Sequence, residues 1–270
     1  MKKMMVTVLL TLVLLGTMSM VACGPTESRT NTFSVVASPT VEVTVGNGNV
    51  SLVVAQEGEI IVTAEMQKPD SVEYEVSQDG DKITVDAKTR SGSRADVTVT
   101  VPTNTEFTLS TGNGDVSAVG VQASGSLNSG DGLIKLERVT GDVIGSVGNG
   151  DITLRDVVGS FILSSGNGNI ILRNATGSFI SSVGNGDITF QGELSPGSNS
   201  TLSVGNGSVT VELMRSPSVA LDLEIEQEGK IRVEPPATVS EESDYRFIGT
   251  IGNGEAALQV STGSGDITIK

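Results

Sequence analysis

Gly-Asn-Gly begins at Gly148, Gly166 and Gly184, each copy 18 residues after the last, and the same interval runs back through Gly130 to Gly112. A looser copy begins at Gly205. Independent hairpin turns have no reason to keep a constant interval, whereas a unit stacked on copies of itself must. The columns agree. Asn113, Asp131, Asn149, Asn167, Asn185 and Asn206 follow the first glycine; Val116, Ile134, Ile152, Ile170 and Ile188 occupy the fifth position; Ala118, Leu136, Leu154, Leu172 and Phe190 occupy the seventh. Apolar residues two apart, with polar ones such as Arg155 and Arg173 next to them, read as a strand with one face buried.

A second glycine column, Gly141, Gly159 and Gly177, precedes a second apolar segment containing Val143, Phe161 and Phe179. Each unit is then two short strands and two turns, too small to bury its own apolar face. Stacking in register closes a continuous core, so the pattern predicts an all-β chain wound as a β-solenoid with 18-residue coils. Glycines suit the turns because they accept positive φ. The asparagines Asn113, Asn149, Asn167, Asn185 and Asn206 would fall above one another, where side-chain amides can bond along the stack as a structural ladder. A meander of Asn-Gly hairpins is the competing reading, but it does not require the same residue in the same column of every unit.

The amino terminus has a separate purpose. Lys2 and Lys3 precede the apolar run Val6 to Leu15, which is too short to span a bilayer and has the layout of a secretory signal peptide over residues 1–22. Met20-Val21-Ala22-Cys23 resembles the lipobox of bacterial lipoproteins, although Met20 stands where Leu is usual. That resemblance implies cleavage before Cys23 and a lipid on its thiol, which would tie the protein to the bacterial cell membrane or outer membrane. Cys23 is the only cysteine, so a disulfide within the chain is excluded. Polar residues up to position 33 read as a flexible tether, and residues 34–270 as the solenoid: irregular coils over 34–111, regular ones over 112–210, irregular ones again over 211–270. Glu234 to Asp244 reads as an acidic loop, and the last coil, Gly263 to Lys270, as an exposed edge open to pairing.

The order of motifs also resembles a bacterial adhesin-like β-strand-repeat family of otherwise undefined function. The residues that carry the resemblance are Val97 to Pro102, Phe107 to Leu109 leading into Ser110-Thr-Gly-Asn-Gly-Asp-Val116, the Gly-Asn-Gly-Asp-Ile coils, and Val260 to Ile269. It covers most of residues 35–270 and implies a right-handed parallel β-helix in the cell envelope, presenting a surface for adhesion or protein interaction.

Composition narrows the function. A formal charge of −15 makes nucleic acid a poor partner and leaves cationic peptides a possible one, as in an envelope-stress sensor. There is no histidine, the sole cysteine is assigned to lipid, and no serine sits in a nucleophile motif, so no catalytic residue is assigned and an enzyme is not expected. No cofactor is called for. The turn column reads Asp115, Leu133, Asp151, Asn169 and Asp187, so carboxylates recur only in every second coil and supply too few oxygens for calcium; no metal residue is assigned. With no tryptophan, and only Tyr74 and Tyr245 among tyrosines, aromatic platforms for sugars are scarce. One column is open to two readings. If Val143, Phe161 and Phe179 point inward, strict alternation makes Ile144, Ile162 and Ile180 an exposed contact ladder beside Ser146, Ser164 and Ser182; a bulge at the flanking glycines would turn both columns partly inward.

Overall fold

The computed structural model describes residues 25–36, 38–55, 58–215 and 217–270; the expected signal peptide and Cys23 lie outside them. Four strands open the chain, β1 (Thr26–Ser34), β2 (Thr40–Asn47), β3 (Val50–Val54) and β4 (Glu59–Gln67). A short turn leads into β5 (Val72–Asp79), β6 (Lys82–Thr89), β7 (Arg94–Val101), β8 (Glu106–Asn113) and β9 (Val116–Val119). The repeat supplies β10 (Gly125–Asp131), β11 (Ile134–Glu137), β12 (Val143–Asn149), β13 (Ile152–Asn167), β14 (Ile170–Asn185) and β15 (Ile188–Leu194). The remainder forms β16 (Asn199–Asn206), β17 (Val209–Leu213), β18 (Val219–Glu228), β19 (Ile231–Val233), β20 (Thr238–Glu242), β21 (Arg246–Ile251), β22 (Ala256–Ser264) and β23 (Ile267–Ile269). All 23 belong to one sheet that folds around a single core.

Each coil runs along a leading strand, through a turn that in most coils is Gly-Asn-Gly or a close variant of it, and out along a trailing strand. Leading strands stack in the order β6, β2, β8, β10, β12, the second half of β13, the second half of β14, β16, β22 and β18, all parallel. Trailing strands follow the same order, from β7 and β3 through β9, β11, the first halves of β13 and β14, β15, β17 and β23 to β19. Within the repeat, paired residues differ by 18, as in Ile152 with Ile170 and Phe161 with Phe179. Inward columns are fully buried, and Phe161 stacks on Phe179 with ring centroids 5.6 Å apart.

The glycines fix that stacking. Gly114, Gly132, Gly150, Gly168 and Gly186 have φ between 137° and 150°, a region open almost only to glycine. A Cβ on Gly168 would also collide with the carbonyl oxygen of Gly150 in the coil beneath.

Antiparallel strands close both ends of the stack. At one end β4 pairs with β7 and β1 with β4, while β5 pairs with β6. Tyr74 of β5 spans the gap between these edges: its hydroxyl contacts Asn31 Oδ1 at 3.4 Å and its ring lies 5.9 Å from the Arg29 guanidinium. Burial pushes its phenol up to about 12, against the pull of Arg29 in the other direction. At the other end β21 pairs with β18, and β20 with β21.

Three expectations are corrected. Residues 26–34 are strand rather than tether, because their backbone completes the edge of β4 even though only Phe33 among their side chains is buried. Part of the acidic loop, Thr238–Glu242, is the edge strand β20. The last coil is not an edge at all: β22 lies between β16 and β18, and β23 between β17 and β19, so the chain builds the outermost coil first and then fills the slot inside it. A matching detour at the start places β2 and β3 inside β6 and β7.

Two measurements check this account. Gly168→Ala should lower the urea midpoint by more than Gly197→Ala, where φ is 75° and nothing lies within 4 Å of the added carbon; strained φ alone costs about 1–3 kcal/mol, and the backbone collision adds to it. A phenol raised in the folded state stabilises the fold fully below the unfolded value and loses that contribution as pH rises through the folded one. Stability should therefore fall between the ordinary tyrosine pKa and about 12, and Tyr74→Phe should flatten that part of the alkaline unfolding curve.

Candidate functional surface

The asparagine column forms a ladder with a direction. Asn206 donates to Asn185 Oδ1 at 3.0 Å, Asn185 to Asn167 at 2.9 Å, Asn167 to Asn149 at 2.8 Å, and Asn149 to Asp131 Oδ1 at 2.7 Å. A carboxylate accepts and does not donate, so this run ends at Asp131. Asn113 belongs to a second run, donating to Asn47 Oδ1, whose own amide donates to Thr89 Oγ1. Asn47 is a member that the 18-residue interval does not show, because the detour separates it from its stack neighbour Asn113 by 66 residues.

A second column does comparable work two residues further on. Asp115 N–H donates to Asn49 Oδ1, Leu133 N–H to Asp115, Asn169 N–H to Asp151, Asp187 N–H to Asn169, and Ser208 N–H to Asp187. Asp266 N–H then bonds to Ser208 Oγ, and Lys230 N–H to Asp266. The Asp and Asn side chains of the turn are therefore acceptors for the next coil's backbone. Their alternation in sequence reads as spacing of charge, but every acceptor type in the column serves the same bond. Leu133, 48% exposed, is the break: it offers no acceptor to Asp151 N–H. Among the described residues no group of three or more His, Cys, Asp or Glu is placed to hold a metal.

The outer surfaces of the two faces differ in chemistry. The trailing face carries charges in register: Glu137, Arg155, Arg173, Gln191 and Glu212 line one column, and Lys135 and Arg138 pair with Glu137. Across β8, β10, β12, β13, β14, β16 and β22 the central columns of the leading face carry none. One column reads Thr108, Ser126, Ile144, Ile162, Ile180, Thr201 and Gln259. Its neighbour reads Ser110, Asn128, Ser146, Ser164, Ser182, Ser203 and Ser261. Charge resumes only beyond them, at Glu42 on one side and at Asp222 and Glu224 on the other.

The two readings of the isoleucine column are thereby separated. Val143, Phe161 and Phe179 are buried, while Ile144, Ile162 and Ile180 are 53%, 46% and 50% exposed. The leading strands continue their alternation past the second glycine column without a bulge, so the isoleucines stand outward beside the serines. At one end of this face a groove of about 460 Å3 opens beside the ladder, lined by Ser203, Asn206, Gln227 and Thr262 with Glu226 its single ionisable side chain.

The Toastrack DUF4097 family profile matches residues 39–270. Two solved structures resemble the whole domain. A protein named "putative adhesin" from Parabacteroides distasonis ATCC 8503 superposes with a TM-score of 0.52 at 13% identity, over 92% of this chain and 98% of that one. Another so named, from Bacteroides fragilis NCTC 9343, gives 0.50 at 16% identity, over 90% and 97%. At such identities the likeness concerns the fold. No curated protein matches the chain.

The missing acceptor at position 133 supplies a test of the second column. Leu133→Asn restores an oxygen facing Asp151 N–H and removes an exposed leucine, so it should stabilise the domain by about 0.5–1.5 kcal/mol in urea unfolding.

Proposed function

From the premise that the chain belongs to the Toastrack DUF4097 family, we propose that it is a non-enzymatic envelope protein, anchored by a lipid on Cys23 and presenting a right-handed solenoid of 18-residue coils for adhesion or protein interaction. The supporting observation is the charge-free leading face. In a chain of formal charge −15, seven neighbouring strands offer only hydroxyls, amides and three half-exposed isoleucines in the two central columns, an arrangement suited to a dry, flat contact. The names of the structural neighbours agree with a role in contact at the cell surface.

A second reading rests on the other charged end. Asp222, Glu224, Glu226 and Glu228 share the outer strand β18 with the acidic strand β20 nearby, and among the described residues Arg246 is the one cation that pairs with this group, reaching Asp222, Glu224 and Glu241. That surface suits a cationic peptide, as an envelope-stress role would require. Salt separates the two: binding through β18 weakens steeply as ionic strength rises, whereas binding through the isoleucine face does not.

The test replaces Ile144, Ile162 and Ile180 together with threonine in the domain 24–270. The variant should keep its cooperative unfolding and lose at least about tenfold in affinity for envelope fractions, equivalent to about 1.4 kcal/mol. Loss of the fold would show instead that these side chains belong to the core. Unchanged, salt-sensitive binding would move the contact to β18.

A further inference from the structure

Seven Asn-Gly pairs occur in the sequence, at Asn47, Asn113, Asn149, Asn167, Asn185, Asn206 and Asn253. This dipeptide is chemically labile. The glycine backbone nitrogen attacks the asparagine Cγ, the C–N bond of the side-chain amide breaks, and ammonia leaves with the proton lost from the glycine nitrogen. The five-membered succinimide that remains is opened by solvent water to aspartate or isoaspartate. Glycine promotes the reaction because no side chain hinders the attack. Two things block it in a folded protein: a glycine N–H committed to a hydrogen bond, and a side-chain amide held away from its own backbone.

The stack imposes the first block on six of the pairs. Gly48 N–H donates to Asn113 O at 2.8 Å, Gly114 N–H to Asp131 O at 2.8 Å, Gly150 N–H to Asn167 O at 2.7 Å, and Gly168 N–H to Asn185 O at 2.9 Å. Gly186 N–H donates to Asn206 O and Gly207 N–H to Ser264 O in the same way. The second block is the ladder, in which each of these six asparagines donates its amide to a neighbour. Burial is not the protection, since Asn149, Asn167 and Asn185 are solvent-exposed, as Asn253 is.

Asn253-Gly254 lies in the turn between β21 and β22, outside the stack. Ser218 Oγ accepts from Asn253 N–H and from Glu255 N–H, both at 3.2 Å, and passes over the amide between them. Among the described residues neither Gly254 N–H nor the Asn253 side-chain amide makes a hydrogen bond. We propose that Asn253 is a site of spontaneous deamidation, and that the solenoid protects the other six pairs by using their glycine amides to join coil to coil.

The experiment incubates the folded domain 24–270 at mildly alkaline pH and follows each peptide by mass for the exchange of amide for acid, with an isoaspartate assay alongside. A parallel sample in concentrated urea removes the stack. All seven sites should convert at similar rates in urea. In the folded protein Asn253 should convert at least about tenfold faster than any ladder asparagine, because a stacked amide reacts only after local opening. Asn253→Gln should remove the acidic variant that accumulates. Ladder asparagines converting as fast as Asn253 in the folded protein, or an Asn253 as slow as they are, would overturn the proposal.

Discussion

At every Gly-Asn-Gly turn within the stack the backbone of one coil lies so close to that of the next that a single methyl group does not fit. The glycine of one coil faces the carbonyl of the glycine below it, and the same contact recurs from Gly48 and Gly114 to Gly207 and Gly265. Strand spacing in a sheet is about 4.8 Å, and the turns hold it where no strand ladder could. Given that approach, equivalent side chains must face one another in every coil. The amide ladder, the acceptor column and the stacked phenylalanines are then consequences of register rather than separate inventions.

Register also restricts charge. A residue repeated in every coil meets its own copy at strand spacing, so a column of like charges repels itself along its whole length. The chain manages this in different ways on different surfaces. On the trailing face Arg155 and Arg173 adjoin, but Glu137 and Gln191 flank them. In the acceptor column Asn169 separates Asp151 from Asp187 while making the same bond. The central columns of the leading face carry no charge across seven strands, and the surplus of acid collects instead on β5, β18 and β20, toward the two ends of the stack.

The strands of the repeat were legible in the sequence because two periods coincide there, alternation by two along the strand and a constant interval between coils. Ile152, Ile170 and Ile188 announce their own pairing. The interval fails where the chain leaves the stack and returns. Asn47 meets Asn113 across 66 residues, and Ser203 meets Ser261 across 58, so no fixed spacing links them although the local motif survives. The strand Thr26–Ser34 carries no alternation to read, since it is held by its backbone against β4 and turns mostly polar side chains to solvent. The isoleucine column left two readings open because alternation alone cannot exclude a bulge; unbroken pairing of the leading strands decides it. The acceptor role of Asp115, Asp151 and Asp187 was written in the column, but the feature its members share is a short side-chain oxygen rather than a charge.

The slot filled by β22 and β23 ties completion of the domain to the synthesis of these two strands. A polypeptide emerging from its amino end can wind the regular coils as they appear, since each rests on the one before it. The outer coil of β18 and β19 finds its parallel partners only in β22 and β23, with β21 covering the other edge of β18. Until these arrive, Leu221, Leu223 and Ile225 lack their neighbours on the stack side, Leu258, Val260 and Thr262, and the unfinished end stays open to chaperones and proteases. These strands thus act as a keystone: a product truncated before them is not a slightly shorter solenoid but one whose outer coil is cut off from the stack.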